Sequence, residues 1–461
     1  MLRKSIILVI VLFVAGLTLV QAQDNSGGII VQGSNFTEKL DWLKVFMRSN
    51  CNYILEVNAN ESIAPQNFEY SGKNNITITL KGIGGNRIIS SGGRVFTVGS
   101  GVTLVLDNNI SIRGTDSGGL VNIKSDGAFV MNNGSTVTGN TKDYQGNGVF
   151  VEGGTFTMNG GVISGNRDDG VSMIGGTFTM NNGSIIGNTS SGVRIAFSNG
   201  TFTMNGGVIS GNKGGGVAIW SEGTFTMHGG AISGNTTTSS AGGGGVIVIN
   251  GGSFILNNGE ISGNSADGSG GSSSPYMAGF GGGVAVTNRG SFTMNGGKIS
   301  SNTANRNGGG VSGYLIMNGG EISGNTAREN GGGVYVDSAF TLSGGIVSNN
   351  IAFENGGGVY VKNEVDVKFS KTGGTITGYT GNTVNGNVVK GSSGTIRNFR
   401  GHAVYAGSTD TVLKIKESTA GPGDNLSYTT TQGYTYLEGN NGIRFPISSG
   451  PSASASGAWD N

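Results

Sequence analysis

The sequence is built on one recurring stretch, of which "GTFTMNGGVISGN" at residues 200–212 is one copy. Each copy joins a run around Phe-Thr-Met to a run around Val-Ile-Ser through glycine and asparagine. The Phe of the first run, or a Leu in its place, recurs at intervals that are mostly about 22 to 27 residues, at positions 129, 156, 178, 202, 225, 254, 292, 315 and 340. Such a period predicts a solenoid, in which each repeat is one coil that buries its apolar face by stacking on its neighbours.

Alternation within the runs assigns the side chains to two faces. In the first run, Thr155 and Thr157 point one way and Phe156 and Met158 the other, because successive strand residues face opposite sides. In the second run the residue before the constant Ile varies and is charged in some copies, so it faces water while the Ile faces the core. The predicted core residues include Phe156, Phe178, Phe202, Phe225, Ile163, Ile209, Ile232 and Ile322.

A third run follows the glycines, as in "GVFV" at 148–151 and "GVYV" at 333–336. The same alternation turns both valines of each copy inward. Three short strands per coil, separated by Gly- and Asn-rich corners, predict an all-β parallel β-helix of about twelve coils. Glycine supplies the positive φ that such tight corners need.

Asparagine recurs at two corners of each coil. One set follows the core Met or Leu: Asn159, Asn181, Asn205, Asn257, Asn295 and Asn318. The other set follows the Val-Ile-Ser run: Asn166, Asn188, Asn212, Asn235, Asn264 and Asn325. Coils stack ~4.8 Å apart, so the side-chain amides of each set are expected to hydrogen-bond along the axis as a ladder.

The run Phe156–Asn159 followed by Gly160–Ile163 resembles the paired FxxN and GGAI motifs of the polymorphic outer membrane protein repeats. Gly229–Ile232 matches the second motif letter for letter. The resemblance covers roughly residues 95–385. It implies a right-handed β-helix and the adhesin-like role of bacterial surface proteins and secreted passenger domains.

The first residues are typical of a secretory signal peptide. Arg3 and Lys4 precede an apolar run over residues 6–20, and Ala22 provides a small residue for cleavage. We therefore expect an exported protein that is extracellular, on the cell surface or associated with the outer membrane. Cys51 is the single cysteine, so no internal disulfide can form despite the oxidising destination.

A helical pattern precedes the repeats. Phe36, Leu40, Leu43 and Met47 fall on one helical face, which predicts an amphipathic helix over the first coil. The predicted order is a signal peptide (1–22), an N-terminal cap with the helix (23–75), β-helix repeats (76–397), an irregular C-terminal coil and cap (398–445) and a low-complexity tail (446–461).

The composition and charge of the chain exclude some classes of binding partner. The formal net charge of +1 gives no electrostatic reason to expect nucleic acid. After the signal peptide no apolar run reaches the roughly 20 residues needed to span a bilayer, so no transmembrane segment is expected. No motif predicts a cofactor or a metal site, and nothing in the sequence predicts the oligomeric state.

The coils differ in the loop that precedes each Gly-Val run. This loop is short at 167–170, longer at 236–245 and longest at 265–283. Insertions on one edge of a solenoid usually mark its binding face, so we expect a glycan or an extracellular protein surface to bind there. The candidate binding residues are Tyr144, Arg167, Asp168, Asp169, Tyr276, Phe280, Arg306, Arg328 and Glu329.

Two other functions fit the same scaffold. Parallel β-helices also carry polysaccharide lyases and hydrolases, which need paired carboxylates. Of the motifs that mark the polygalacturonase-like enzymes only Asp168-Asp169 is present, so no enzymatic activity is expected, and these two residues are the catalytic candidates if there is one. The outward Thr-x-Thr pairs, such as Thr155 and Thr157, also resemble the array of ice-binding solenoids.

Overall fold

The structure, a computed structural model, describes residues 27–116, 118–142, 146–197, 199–238, 242–268, 279–362, 364, 367–379, 386–396, 403–407, 412–415, 418–419, 426–431, 434–438 and 444–446. The predicted signal peptide and residues 447–461 of the predicted tail lie outside this part of the chain. The chain divides into two compact units. The first comprises Met1–Asp168 with Gly176–Phe178, and the second comprises Asp169–Gly175 with Thr179–Asn461.

The fold is an all-β, right-handed parallel β-helix of about 13 turns over the described residues, as the repeat period predicted. The additional turn relative to the expected twelve begins at Cys51–Val57, which pairs in parallel with Ile76–Gly82. The sequence analysis placed that segment in the cap, because it lacks the Gly-rich corners of the later coils.

Three sheets run through the first unit. Sheet 1, which carries the Phe-Met runs, contains Ile29–Ile30, Cys51–Val57, Ile76–Gly82, Val102–Leu106, Ala128–Met131 and Thr155–Met158, and Thr177–Met180 has its first two residues in this unit. Sheet 2, which carries the Ile-Ser runs, contains Glu61–Ser62, Arg87–Ser91, Ile110–Gly114, Ser135–Thr138 and Val162–Ser164. Sheet 3, which carries the Gly-Val runs, contains Gln66–Phe68, Phe96–Val98, Val121–Ile123 and Val149–Val151.

The second unit contains the same three kinds of strand. Its sheet 1 contains Thr201–Met204, Thr224–Met227, Ser253–Leu256, Ser291–Met294, Leu315–Met317, Ala339–Leu342 and Lys368–Lys371. Its sheet 2 contains Ser184–Ile186, Val208–Ser210, Ala231–Ser233, Glu260–Ser262, Lys298–Ser300, Glu321–Ser323, Ile346–Ser348 and Thr375–Ile376. Its sheet 3 contains Val171–Met173, Val193–Ile195, Val217–Trp220, Val246–Ile249, Val284–Val286, Val311–Ser312, Val334–Val336, Val359–Val361 and Val404–Gly407.

The second unit also has a fourth sheet that the sequence analysis did not anticipate. Its two-residue strands follow the second asparagine of each coil: Thr236–Thr237, Ser265–Ala266, Thr303–Ala304, Thr326–Ala327, Ile351–Ala352 and Val388–Val389. The second residue of Ser265–Ala266 is fully buried. A strand this short leaves too little alternation in the sequence to be recognised.

The C-terminal strands of the second unit pair antiparallel with the last parallel strands of sheets 1, 2 and 3. Leu426–Thr431 pairs with Lys368–Lys371, Ser418–Thr419 with Thr375–Ile376, and Val412–Ile415 with Val404–Gly407. Tyr434–Glu438 and Arg444–Pro446 extend sheet 1 further. These pairings occupy sheet edges that a solenoid otherwise leaves open to other chains.

At the N-terminus, the helix Phe36–Phe46 covers the first unit's core. Asn35 caps it by accepting from the Glu38 backbone N–H at 2.9 Å, and Glu38 in turn accepts from the Ser34 N–H at 2.7 Å. The four residues of the predicted apolar face, from Phe36 to Met47, are each at most 4 % exposed.

The core is an axial stack of aromatic rings. In the first unit Phe156 stacks on Phe178 with ring centroids 4.5 Å apart. In the second, Phe225 lies between Phe202 and Phe254 at 4.7 and 4.8 Å, with interplanar angles of at most 7°. All eight predicted core residues have no exposed surface.

The second predicted asparagine ladder is fully buried. Asn264 of the second unit shows the pattern: its Oδ1 accepts from both the backbone N–H and the Nδ2 of Asn235, each at 3.0 Å. Its Nδ2 donates to Asn302 Oδ1 at 3.0 Å and to the Ile232 carbonyl at 2.9 Å. Asn302, Asn350 and Asn387 extend this inner ladder beyond the residues that the sequence analysis assigned to it.

The first predicted ladder is exposed to water. Asn295 Nδ2 donates to Asn257 Oδ1 at 2.8 Å, and Asn318 Nδ2 to Asn295 Oδ1 at 2.9 Å. His228 replaces an asparagine in this outer ladder, and its Nδ1 lies 3.3 Å from Asn257 Nδ2.

Glycine before the sheet 3 strands permits close approach of successive coils. A Cβ on Gly310 would lie 2.6 Å from the Gly333 carbonyl oxygen and 2.8 Å from Ile322 Cγ2. The recurring Gly-Gly-Gly-Val therefore reflects backbone contact between coils.

Truncation of a stacked ring should destabilise the second unit strongly. We expect Phe225→Ala to lower the free energy of unfolding by about 3–5 kcal/mol, because the ring leaves a cavity that neighbouring coils cannot fill. The outward Thr226→Ala on the same strand is the control, and urea unfolding followed by circular dichroism is the measurement. Equal effects of the two changes would contradict the core assignment.

The two ladders should differ in what they contribute to stability. Asn264→Ala leaves buried donors of Asn235 without acceptors, for which we expect a loss of about 3 kcal/mol. Asn257→Ala in the outer ladder, where water replaces the lost partner, should lose less than about 1 kcal/mol. Urea unfolding of the two variants side by side checks the difference.

Candidate functional site

We call the described residues of the loops that precede the sheet 3 strands the loop edge; they are 167–170, 236–238, 242–245, 265–268, 279–283, 305–308 and 328–331. Two of the predicted binding residues, Tyr144 and Tyr276, lie outside the described residues. Arg167 and Arg328 are exposed. They are the charged candidates that the structure presents to solvent.

Asp169 does not face solvent. Its carboxylate is fully buried, Oδ1 accepts from the Ser191 backbone N–H at 3.0 Å, and Oδ2 lies 2.5 Å from Arg194 Nη2. Asp168 is half-buried. The Asp169 carboxylate therefore holds the loop to sheet 3, and this placement gives no support to a pair of catalytic carboxylates at these positions.

Phe280 is also turned inward. Its ring is 6 % exposed and meets Tyr335 edge to face, with centroids 5.5 Å apart. Arg306 lies over the Phe280 ring, 5.0 Å from its centroid. The Phe280 ring therefore packs inward at the described end of the long loop, and it is not exposed for binding as the sequence analysis expected.

Arg306 and Glu329 belong to the same network. Arg306 Nε lies 3.1 Å from Glu329 Oε1, and Asn307 Nδ2 donates to Glu329 Oε2 at 3.1 Å. Asn330 donates through its N–H and Nδ2 to Asn307 Oδ1, which begins a third short ladder. The structure thus brings Phe280, Arg306 and Glu329 together in one network of contacts.

The loop edge covers the outer face of sheet 3. The outward side chains there form a small second core of Ala218, Ile247, Ile249 and Ala285. Gly281 has φ of 63°, and a Cβ on it would lie 2.7 Å from Ala285 Cβ, so glycine is needed where the loop packs on the sheet. Burial against this loop edge raises the pKa of Tyr335.

A pocket lies at a different corner, where sheet 3 leads into sheet 1. We call this pocket the notch. It has a volume of about 410 Å³. It is lined by Val286, Thr287, Asn288, Arg289, Gly290, Ser291, Tyr314, Asp337 and Ser338.

The notch is the consequence of a shortened coil. The interval from the sheet 3 Val to the sheet 1 core residue is four positions at Val311–Leu315, but eight at 284–292 and six at 334–340. The strands on both sides keep their register, since Val311 pairs with both Val284 and Val334. The missing residues therefore leave a gap at the corner, and Tyr314 is what the short coil contributes to its wall.

The notch is lined by one carboxylate, that of Asp337, whose pKa is raised. Burial raises the pKa of Asp337 to about 6 from its ordinary value of 3.8, while the nearby Lys362 ammonium opposes the rise. Asn288 and Arg289 on the facing corner both have positive φ, at 49° and 66°. These two consecutive left-handed residues turn the chain sharply beside the pocket.

The notch was not among the sites predicted from the sequence. The signal was present in "VSGYL" at 311–315, where the Gly-Val run and the following run are separated by fewer residues than in any neighbouring coil. The criterion of long loops does not detect a site that a shortened corner creates.

Searches against protein-family models, curated proteins and solved structures find no match for this chain. The parallel β-helix is therefore shown by the structure alone. The resemblance to the polymorphic outer membrane protein repeats rests on the motifs.

Within the described ranges, no helix has the length and apolar character to cross a membrane. The same part of the chain contains no cluster of three or more His, Cys, Asp or Glu residues placed to hold a metal ion.

Asp337 should make stability depend on pH. The pKa of Asp337 is higher in the folded than in the unfolded chain, so folding favours the neutral carboxyl. The stability that this carboxyl contributes is therefore fully present below about pH 4 and is lost as the pH rises through about 6. We expect Asp337→Asn to raise the free energy of unfolding more at pH 7.5 than at pH 4.5. The difference between the two effects should be at most about 3 kcal/mol. Urea unfolding at the two pH values measures it.

The exposed Asp126→Asn is the control for loss of one carboxylate. If the effect on the free energy of unfolding changes between pH 4.5 and pH 7.5 no more for Asp337→Asn than for Asp126→Asn, the notch does not disfavour the charged carboxylate.

Proposed function

We propose that this chain is an exported, adhesin-like binding and display scaffold of the polymorphic outer membrane protein repeat type. Its target is a glycan or an extracellular protein surface. The proposal takes export from the signal-peptide pattern of residues 1–22 and the adhesin role from the repeat motifs.

The observation that supports the proposal is that the inner asparagine ladder keeps the same geometry while the loops before the sheet 3 strands vary in length. Successive inner-ladder asparagines are 38 residues apart between Asn264 and Asn302, but 23 apart between Asn302 and Asn325. Their hydrogen-bond geometry is nevertheless the same, at 3.0 Å from N–H to Oδ1 in both steps. Insertions at one edge therefore change the displayed surface without disturbing the fold, which suits recognition.

Catalysis by the predicted carboxylates has less support. Asp169 is buried against Arg194, whereas a glycosidase needs two carboxylates that both reach one bond. Binding without turnover is the function that these positions favour.

An array of glycans and extracellular-matrix proteins tests the proposal. The chain from Gln23 should bind at least one of them saturably, and mass spectrometry of the bound polysaccharide should detect no cleavage products. The absence of any binding would refute the proposal, and cleavage products would establish an enzyme instead.

The contribution of the loop edge can be measured on the same array. We expect Arg328→Ala to weaken binding roughly fivefold, equivalent to about 1 kcal/mol for an exposed charge. Arg113→Ala, which removes an exposed arginine from sheet 2 of the first unit, is the matched control. Unchanged binding by Arg328→Ala would place the contact surface elsewhere.

A further inference from the structure

The corner that holds the notch also presents exposed aromatic side chains. Phe197 follows the strand Val193–Ile195 and is 61 % exposed, and Trp220 ends the next sheet 3 strand and is 39 % exposed. Rings of this size are usually buried, so two of them on adjacent coils of one corner point to a surface that is covered by a ligand.

The aromatic residues and the notch lie along one line. Sheet 3 pairs residue 193 with 217, 217 with 246, 246 with 284, 284 with 311, and 311 with 334. These five steps separate the coil of Phe197 from the coil of Asp337, which at ~4.8 Å per step gives a span of ~24 Å. The corner is therefore long enough for an extended chain molecule, with the pocket near one end.

The chemistry of the notch favours a ligand rich in hydroxyl groups. The residues that line it include four with a hydroxyl, one with an amide, one with a guanidinium and one with a carboxylate: Thr287, Ser291, Tyr314, Ser338, Asn288, Arg289 and Asp337. The two opposite charges cancel, so there is no net field for an anionic ligand. A few convergent polar groups in a concave site fix the orientation of a small ligand.

An apolar peptide fits this site poorly. It would cover the Asp337 carboxylate and the Tyr314 hydroxyl without bonding to them, and each buried group left without a partner costs about 1–3 kcal/mol. A sugar ring satisfies both demands, because its hydroxyls pair with the notch and its C–H face packs on aromatic rings.

We propose that the corner from Phe197 to Asp337 is a binding groove for a neutral oligosaccharide, with one sugar ring in the notch and the chain laid over Trp220. This inference rests on the proposed binding function, but it names a ligand class and a site separate from the loop edge. Tyr314 and Asp337 bind the ring that occupies the notch, and Trp220 and Phe197 stack on the rings that follow.

The test uses the chain from Gln23 with defined pentasaccharides. The neutral probes are the pentamers of cellulose, laminarin, mannan and chitin, and the acidic probe is penta-galacturonate, each titrated by calorimetry. At least one neutral pentamer should bind, with saturation-transfer NMR showing the strongest contact at one terminal ring.

Two variants close the notch in different ways. In the first, Ser312–Tyr314 is replaced by a copy of residues 285–291, which restores the length of the preceding coil. In the second, Ser338→Phe fills the pocket without changing chain length. Both should weaken binding at least about tenfold, and Trp220→Ala should weaken it several-fold.

Controls separate this groove from the loop edge and from loss of folding. Ile346→Ala removes an exposed apolar side chain from sheet 2 and should leave pentasaccharide binding unchanged. Arg328→Ala is measured beside it to report on the loop edge. Thermal unfolding of every variant checks that it is folded. If the variant with the longer coil does not fold, Ser338→Phe alone tests whether the notch binds the sugar.

The other outcomes overturn the inference. Binding that survives both notch variants and is lost in Arg328→Ala would move the site to the loop edge and leave the proposed function standing. Binding of the acidic pentamer alone would refute a neutral ligand. If no pentamer binds while a matrix protein does, the groove is refuted and the proposed binding function remains. If nothing binds in either assay, both the groove and the proposed binding function are refuted.

Discussion

The structure depends on amide side chains that repeat in register at the spacing of the coils. In the inner ladder the Asn264 oxygen accepts two hydrogen bonds from Asn235 of the preceding coil, and its amide nitrogen donates to Asn302 of the next coil and to the Ile232 carbonyl. A buried amide is tolerated only when it is fully satisfied, so a shift by one residue in any coil would leave several groups without partners. The ladder therefore fixes the register on which the phenylalanine stack and the parallel sheets both rely.

A frame fixed in this way can vary at its corners. Where the chain is longer, the described residues that lead into the next sheet 3 strand pack on that sheet, with Phe280 against Tyr335 and Arg306, and Arg306 paired with Glu329. Where it is shorter, as at Val311–Leu315, the neighbouring coils keep their positions and a pocket opens between them. A shortened corner thus creates a concave site while the sheets keep their register.

Much of the fold could be predicted because repetition makes each rule testable many times in one chain. The alternation in the Phe-Thr-Met runs, the charged positions before each Ile and the asparagine spacing all indicated the same coil, and the described residues follow it. The site could not be predicted in the same way. Phe280 was expected to face a ligand since it lies in a long loop, but its ring packs on Tyr335, a residue more than fifty positions away. Asp169 was grouped with Asp168 as a possible catalytic pair, and only the position of Arg194 on the next coil shows that it is buried in an ion pair.

The sequence by itself determined the class of fold, the inward and outward faces of each strand and the existence of the asparagine ladders, because these follow from periods of two residues and of one coil. Only the tertiary structure decided which loop residues are exposed, that a fourth short sheet exists, and that a shortened turn leaves a pocket beside Asp337. Those features depend on contacts between side chains of different coils, and such contacts are set by how far each corner extends across its neighbours, which no local pattern records.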